Sequence, residues 1–231
     1  MQTTQTQTQP NPQPQLQLQP QPTTPDLKSL TLPELSAYLT TLGEKPYRAK
    51  QIYEWLRTSL AVHTRLTILT PIEIQTSRLD GTKKYLFALP DGNMIESVLM
   101  RYKHGNSVCI SSQAGCRMAC RFCASTIGGL VRSLEPSEML EQIYRIGQDI
   151  GERISNVVVM GMGEPLDNLD NLIRFIELLT DANGLGISQR NITVSTCGLV
   201  PKMRELADRK LAITLALSLH APTQEKRRML M

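Results

Sequence analysis

The run Gly115-Cys-Arg-Met-Ala-Cys-Arg-Phe-Cys-Ala124 sets thiols at Cys116, Cys120 and Cys123, three of the chain's five cysteines. Thiolates spaced C-x3-C-x2-C on one short loop can grip three corners of a cubane iron–sulfur cluster, which ordinarily takes four cysteines. Three ligands leave one iron open, and an open metal position belongs to catalytic rather than structural sites. Three other readings compete. A structural zinc site asks for four ligands, commonly as two pairs. The remaining candidates, Cys109, Cys197, His63, His104 and His220, form no second pair. An odd cysteine count without a visible secretory pattern disfavours a disulfide framework. Inert buried cysteines would not crowd into one short run.

The rest of the sequence must position that loop. The chain has 231 residues, 41% of them hydrophobic, enough for a substantial core. Its net charge of +4 leans only mildly toward an anionic partner. No apolar run approaches the roughly 20 residues that span a bilayer, so no membrane association is expected. Free thiols suit a reducing compartment, and the expected location is cytoplasmic. Residues 1–25 are mostly Gln, Thr and Pro without a charge and read as a disordered leader.

Residues 26–80 read as a small helical domain. Thr31-Leu-Pro-Glu34 fits a capping box with proline in the first turn, and Gly43 fits the stop. A second helix is expected from about Tyr47 to Leu60, carrying Arg48, Lys50 and Arg57 beside Tyr53 and Trp55. That face is either a solvated basic surface or an RNA contact. Residues 61–80 read as loop or short helix.

Residues 81–101 form a β-hairpin connection, with strands Tyr85–Leu89 and Met94–Tyr102 about Asp91-Gly-Asn93. From residue 102 to 231 strands and helices alternate. Strands are expected at Ser107–Ser112, Ile154–Met160, Asn191–Thr196 and Leu211–Leu219, and helices at Leu134–Gln148, Leu169–Leu179, Pro201–Asp208 and from Thr223. Repeated βα units imply an α/β fold with a parallel sheet, and right-handed crossovers curl it into a partial (β/α)-barrel. Sites in such folds lie at the carboxyl ends of the strands. Those ends carry the cysteine loop, Gly161-Met-Gly-Glu-Pro165, Ser195-Thr-Cys-Gly198 and Ser218-Leu-His220.

The cysteine spacing with Phe122 before the last thiol resembles the signature of radical S-adenosylmethionine enzymes. The wider pattern resembles the dual-specificity 23S rRNA and tRNA (adenine-C2)-methyltransferase family over residues 27–231. It is carried by Asp80-Gly-Thr-Lys-Lys84, Pro90-Asp-Gly-Asn93, Cys109-Ile-Ser-Ser-Gln113, Gly161-Met-Gly-Glu-Pro165 and Ser218-Leu-His-Ala-Pro222. The resemblance implies a [4Fe-4S] cluster on Cys116, Cys120 and Cys123. It implies S-adenosylmethionine on Gly163, Glu164, Ser195, Ser218, Leu219 and His220. It makes Glu96 the proton acceptor, and burial beside Ile95 and Val98 is expected to raise its pKa. It makes Cys109 an accessory cysteine that releases product by forming a disulfide. Substrates would be 23S rRNA and tRNA, the reductant a flavodoxin- or ferredoxin-type donor, and the complete protein a monomer. The family carries the methyl group on a cysteine near its carboxyl end, yet no cysteine follows Cys197. The chain is therefore expected to be truncated at its carboxyl end, with further βα units beyond Met231. Two alternatives stay open: methylation at adenine carbon 8, or a non-catalytic iron–sulfur RNA-binding protein if the chain ends at Met231.

Overall fold

The computed structural model describes residues 25–58 and 69–231. The leader up to residue 24, the helix extension to Leu60 and the stretch 61–68 lie outside the described residues.

Helices α1 (Leu32–Thr41) and α2 (Pro46–Thr58) open the described chain. The Glu34 carboxylate turns back to accept the Thr31 amide at 2.8 Å, and proline occupies the first turn. Leu35, Leu39, Ala49 and Tyr53 pack between the two helices. Long-range polar contacts dock this unit on the rest. The Tyr53 hydroxyl donates to Asp181 at 2.7 Å, Arg174 to Glu34 at 2.7 Å, and Lys28 to Glu141 at 2.6 Å.

The strands follow as β1 (Thr70–Thr76), β2 (Lys83–Ala88), β3 (Met94–Tyr102), β4 (Gly105–Ile110), β5 (Gln113–Gly115) and β6 (Leu130–Ser133). Then come α3 (Pro136–Ile150), β7 (Ile154–Val159), α4 (Leu169–Thr180), β8 (Ile192–Thr196), α5 (Val200–Asp208), β9 (Thr214–Leu217) and α6 (Gln224–Leu230). One open seven-stranded sheet runs β1-β2-β3-β4-β7-β8-β9. Its first four strands pair antiparallel, and β4, β7, β8 and β9 pair parallel. The expected α/β class and partial barrel agree with this open, half-parallel sheet. The hairpin turn falls at Gly92, with φ +84°.

Two differences concern segments that the pattern left unread. β1 lies within 61–80, expected to be loop or short helix; it pairs with β2 as the sheet edge. β5 and β6 form a separate two-stranded ribbon flanking the cysteine loop. Each has only three or four residues, too few for a readable alternation.

Register builds the core. Leu99, Val108, Val157 and Ile192 align across β3, β4, β7 and β8, and each is fully buried beneath the helices. Burying each such side chain contributes about 2 kcal/mol. Among the described residues, no helix is long and apolar enough to cross a membrane.

Lys28 and Glu141 are almost wholly buried, and Glu141 also pairs with Arg145 at 3.2 Å, so removing its carboxylate takes an anion from two cations. Glu141→Ala should lower unfolding stability in urea by about 3 kcal/mol. A loss below about 1 kcal/mol, the size of a surface ion pair, would show that the buried carboxylate contributes no more than an exposed one.

Candidate active site

The cysteine loop leaves β5 at Gly115, whose φ of +76° brings it against the returning chain. A Cβ there would sit 2.0 Å from the Gly129 carbonyl oxygen. The Cys116 amide donates to that same oxygen at 3.0 Å, closing the base of the loop. Inside it, the Thr126 hydroxyl donates to the Cys123 carbonyl at 2.8 Å, and the Cys123 amide to the Cys120 carbonyl at 3.0 Å. α6 braces the outer side: the Arg121 amide donates to the Leu230 carbonyl at 2.8 Å.

The loop after β7 lies across from these thiols. The Gly161 amide donates to the Ile110 carbonyl at 2.9 Å, and a Cβ on Gly161 would meet that carbonyl at 2.8 Å. Gly163, with φ +97°, lies against Gln113, where a Cβ would come within 2.5 Å of the glutamine side chain. Gln113 in turn accepts the Glu164 amide at 2.9 Å and donates to Asp167 at 2.9 Å. Ser111 donates to the Glu96 carbonyl at 2.6 Å and accepts the Met162 amide at 2.9 Å. Gln142 reaches up from α3 and accepts from Ser97 and from the Ser111 amide. This buried polar lattice fixes the two loops relative to each other.

The result is a cavity of about 230 Å³. Cys116, Cys120 and Cys123 line it together with Gly163, Glu164, Ser195, Ser218 and His220. The Ser195 and Ser218 hydroxyls lie 3.3 Å apart at the ends of β8 and β9. His220 adopts φ +61° and tilts against Phe122, ring centroids 4.6 Å apart, joining the end of β9 to the cysteine loop.

Three expected site residues are not among those lining the cavity. Leu219 is 55% exposed. Cys109 sits mid-strand between Val98 and Val158. Burial pushes its pKa up. All five cysteines are free, so the expected disulfide finds no support, and neither strand neighbour of Cys109 offers a sulfur. Glu96 shares a sheet face with Cys109, two residues nearer the cavity end. Its side chain is 44% exposed and paired with Lys84 at 2.6 Å, so the expected desolvation is not found.

Sequence reasoning left Cys197 without a role and gave Thr196 none. Both contact Glu164, through the Thr196 hydroxyl at 2.7 Å and the Cys197 amide at 2.8 Å. Burial, and then the Glu164 charge, push the Cys197 thiol up to about 12. Their place at the end of β8 was the available signal.

The donor set fits an iron–sulfur cubane. Three thiols project from one closed loop, and Cys116 and Cys120 are shielded by burial that pushes their pKa up. Loading a metal there exchanges thiol protons for it. Among the described residues, no three His, Cys, Asp or Glu side chains converge as ligands of a single ion do; a cubane wants one thiolate per iron corner. Glu164 is 4% exposed, and the donors found around it are neutral. A carboxylate buried in that way favours a ligand bearing amino hydrogens.

These features define a thiolate-loop cofactor centre at the carboxyl ends of a parallel α/β sheet. Residues 110–231 match the model of the radical SAM superfamily, and the chain belongs to that superfamily. Membership brings a [4Fe-4S] cluster and S-adenosylmethionine as cofactors. Residues 25–62 match the ribosomal RNA large subunit methyltransferase N-terminal domain. A probable dual-specificity RNA methyltransferase RlmN of Lachnospira eligens is 60% identical over 89% of this chain and 64% of its own length. Its namesake in Lachnoclostridium phytofermentans is 57% identical over 89% of this chain and 63% of its own. The crystal structure of a radical SAM methyltransferase from Sphaerobacter thermophilus superposes with a TM-score of 0.82 at 39% identity, covering 89% of this chain and 66% of that one. The chain thus spans somewhat under two thirds of the curated relatives it matches.

Anaerobic reconstitution should load about four irons per chain, as a cubane requires, and Cys120→Ala should abolish uptake. One zinc and no iron in the parent protein would overturn the assignment. Gly163→Ala should keep the iron but lower affinity for S-adenosylmethionine at least tenfold, about 1.4 kcal/mol, because the new methyl displaces Gln113; unchanged affinity in equilibrium dialysis would contradict that.

Proposed function

We propose that this protein is a radical S-adenosylmethionine methyltransferase that modifies carbon 2 of adenine in 23S rRNA and in tRNA. The observation that carries this reading is the cavity in which a three-thiol loop meets a buried Glu164 held by neutral donors. The names of the relatives and the N-terminal match support the substrate class.

In this reading Cys116, Cys120 and Cys123 hold the cluster. Gly163, Glu164, Ser195, Ser218, Leu219 and His220 hold S-adenosylmethionine. When bound, this pair supplies a one-electron route to a carbon radical, which an electron-poor ring carbon needs because it is too weak a nucleophile for direct methyl transfer. The protein's part is placement. Gly163 lets the cofactor approach the backbone, and Glu164 accepts from its amino group. The Ser195 and Ser218 hydroxyls offer bonds from two strand ends. Met118 and Met160 help to keep water out of the cavity.

On the substrate side, Glu96 takes up the proton lost from adenine, with Lys84 beside it to stabilise the carboxylate. Cys109 serves as the accessory thiol on the same sheet face. The helical unit of α1 and α2 contacts RNA: Tyr47, Arg48, Lys50 and Trp55 are exposed on α2, pairing cations for phosphates with rings for bases. The protein works in the cytoplasm as a monomer and takes electrons from a flavodoxin- or ferredoxin-type donor.

Deletion of the gene should remove 2-methyladenosine from 23S rRNA and tRNA, as read by nucleoside mass spectrometry, and re-expression should restore it. Loss of 8-methyladenosine alone, or no change in either nucleoside, would overturn the proposal.

A further inference from the structure

Glu164 does not aim itself. Among the described residues its local support is the Leu166 amide, which donates to Oε1 at 3.0 Å. The remaining contacts come from the end of β8. The Thr196 hydroxyl donates to Oε1 at 2.7 Å and the Cys197 amide to Oε2 at 2.8 Å.

The direction of the Thr196 proton is set by its other partner. Thr196 Oγ1 accepts the Gly198 amide at 3.0 Å. A hydroxyl has one proton. With a lone pair of Oγ1 facing Gly198, that proton is left for Glu164. The side chain is 2% exposed, so no bulk water competes for it. Gly198 itself has φ +101°, and a Cβ there would press on Leu217 at 3.1 Å, so the amide that orients the hydroxyl is held by its own turn.

A carboxylate has about four acceptor sites. Three strong donors fill three of them: the Leu166 amide, the Thr196 hydroxyl and the Cys197 amide. The fourth, on Oε2, can take an amino N–H of a ligand.

We propose that Thr196 is a positioning residue for cofactor binding: its hydroxyl, oriented by the Gly198 amide, holds Glu164 so that one acceptor site faces the amino group of S-adenosylmethionine. The proposal rests on the reading of Glu164 given above and adds the residue that makes it effective. It also predicts which part of the ligand senses the change. Only the amino-acid moiety meets Glu164, so the nucleoside portion should be indifferent to Thr196.

The test measures binding of S-adenosylmethionine and of 5′-methylthioadenosine, which lacks the amino-acid moiety, to the anaerobically reconstituted chain by equilibrium dialysis. Thr196→Val should weaken S-adenosylmethionine binding about ten- to a hundredfold, the range for one hydrogen bond to a charged group. It should leave 5′-methylthioadenosine binding and iron content unchanged. Thr196→Ser keeps the hydroxyl and should restore the parent affinity. If valine prevents iron uptake, Thr196→Ala gives the same comparison with less crowding. Equal losses for both ligands, equal losses for Ser and Val, or no loss at all would overturn the proposal. Glu164→Gln separates the two levels: if it too leaves S-adenosylmethionine binding intact, or if the iron-loaded parent does not bind it, the reading of the site fails. If only Glu164→Gln weakens binding, the positioning role alone fails.

Discussion

The close approach of the loop after β7 to the end of β4 is the constraint on which the site depends. Glycine at 161 and 163 lets two backbones come nearer than any side chain allows. The Gly161 amide and the Ile110 carbonyl make one link, and Gln113 with the Glu164 amide makes the next. The cysteine loop grows from β5, two residues beyond Gln113. Seating one loop on the other therefore sets where a carboxylate stands relative to three thiols. A methyl group at either glycine would push the two halves apart before any ligand arrived.

That seating puts a charge where water is scarce. Carboxylates are seldom buried without a cation. Around Glu164 the compensation found is polar rather than ionic: two amides and a hydroxyl. Preorganised neutral donors hold a direction without cancelling the charge, so the group stays available to a ligand. The polar lattice of Ser111, Gln113, Gln142 and Asn168 has the same character. It ties α3, β4 and the β7 loop together through hydrogen bonds that are almost all internal.

The legibility of this protein in its sequence follows the range of the interactions. Cysteine spacing, the apolar run at 154–160 and the Asp91-Gly-Asn93 turn are local, and each stands where the pattern puts it. β3 matches the expected Met94–Tyr102 to the residue. What depends on partners far along the chain was not readable. β1 has no buried residue, so it shows no alternation and declares itself only by pairing with β2. Ile95 beside Glu96 is buried as its strand suggests, but the lysine that meets the carboxylate comes from β2. Thr196 looks like an ordinary strand residue until β8 is laid beside the loop carrying Glu164.

The alternation that builds the core also protects the site from error. Ile95, Val108, Ile110, Val157, Val159 and Val194 all turn toward the helices and are buried. Their immediate neighbours Glu96, Cys109, Val158 and Ser195 take the opposite face. A slip of one residue in β3, β4 or β8 would drive a carboxylate, a thiol or a hydroxyl into the hydrocarbon layer and bring valines into the cavity. Each misregistered pairing thus loses the core and the chemistry in one step. The apolar residues act as a parity check: a chain that has packed correctly has, by the same act, delivered its reactive groups to the right address.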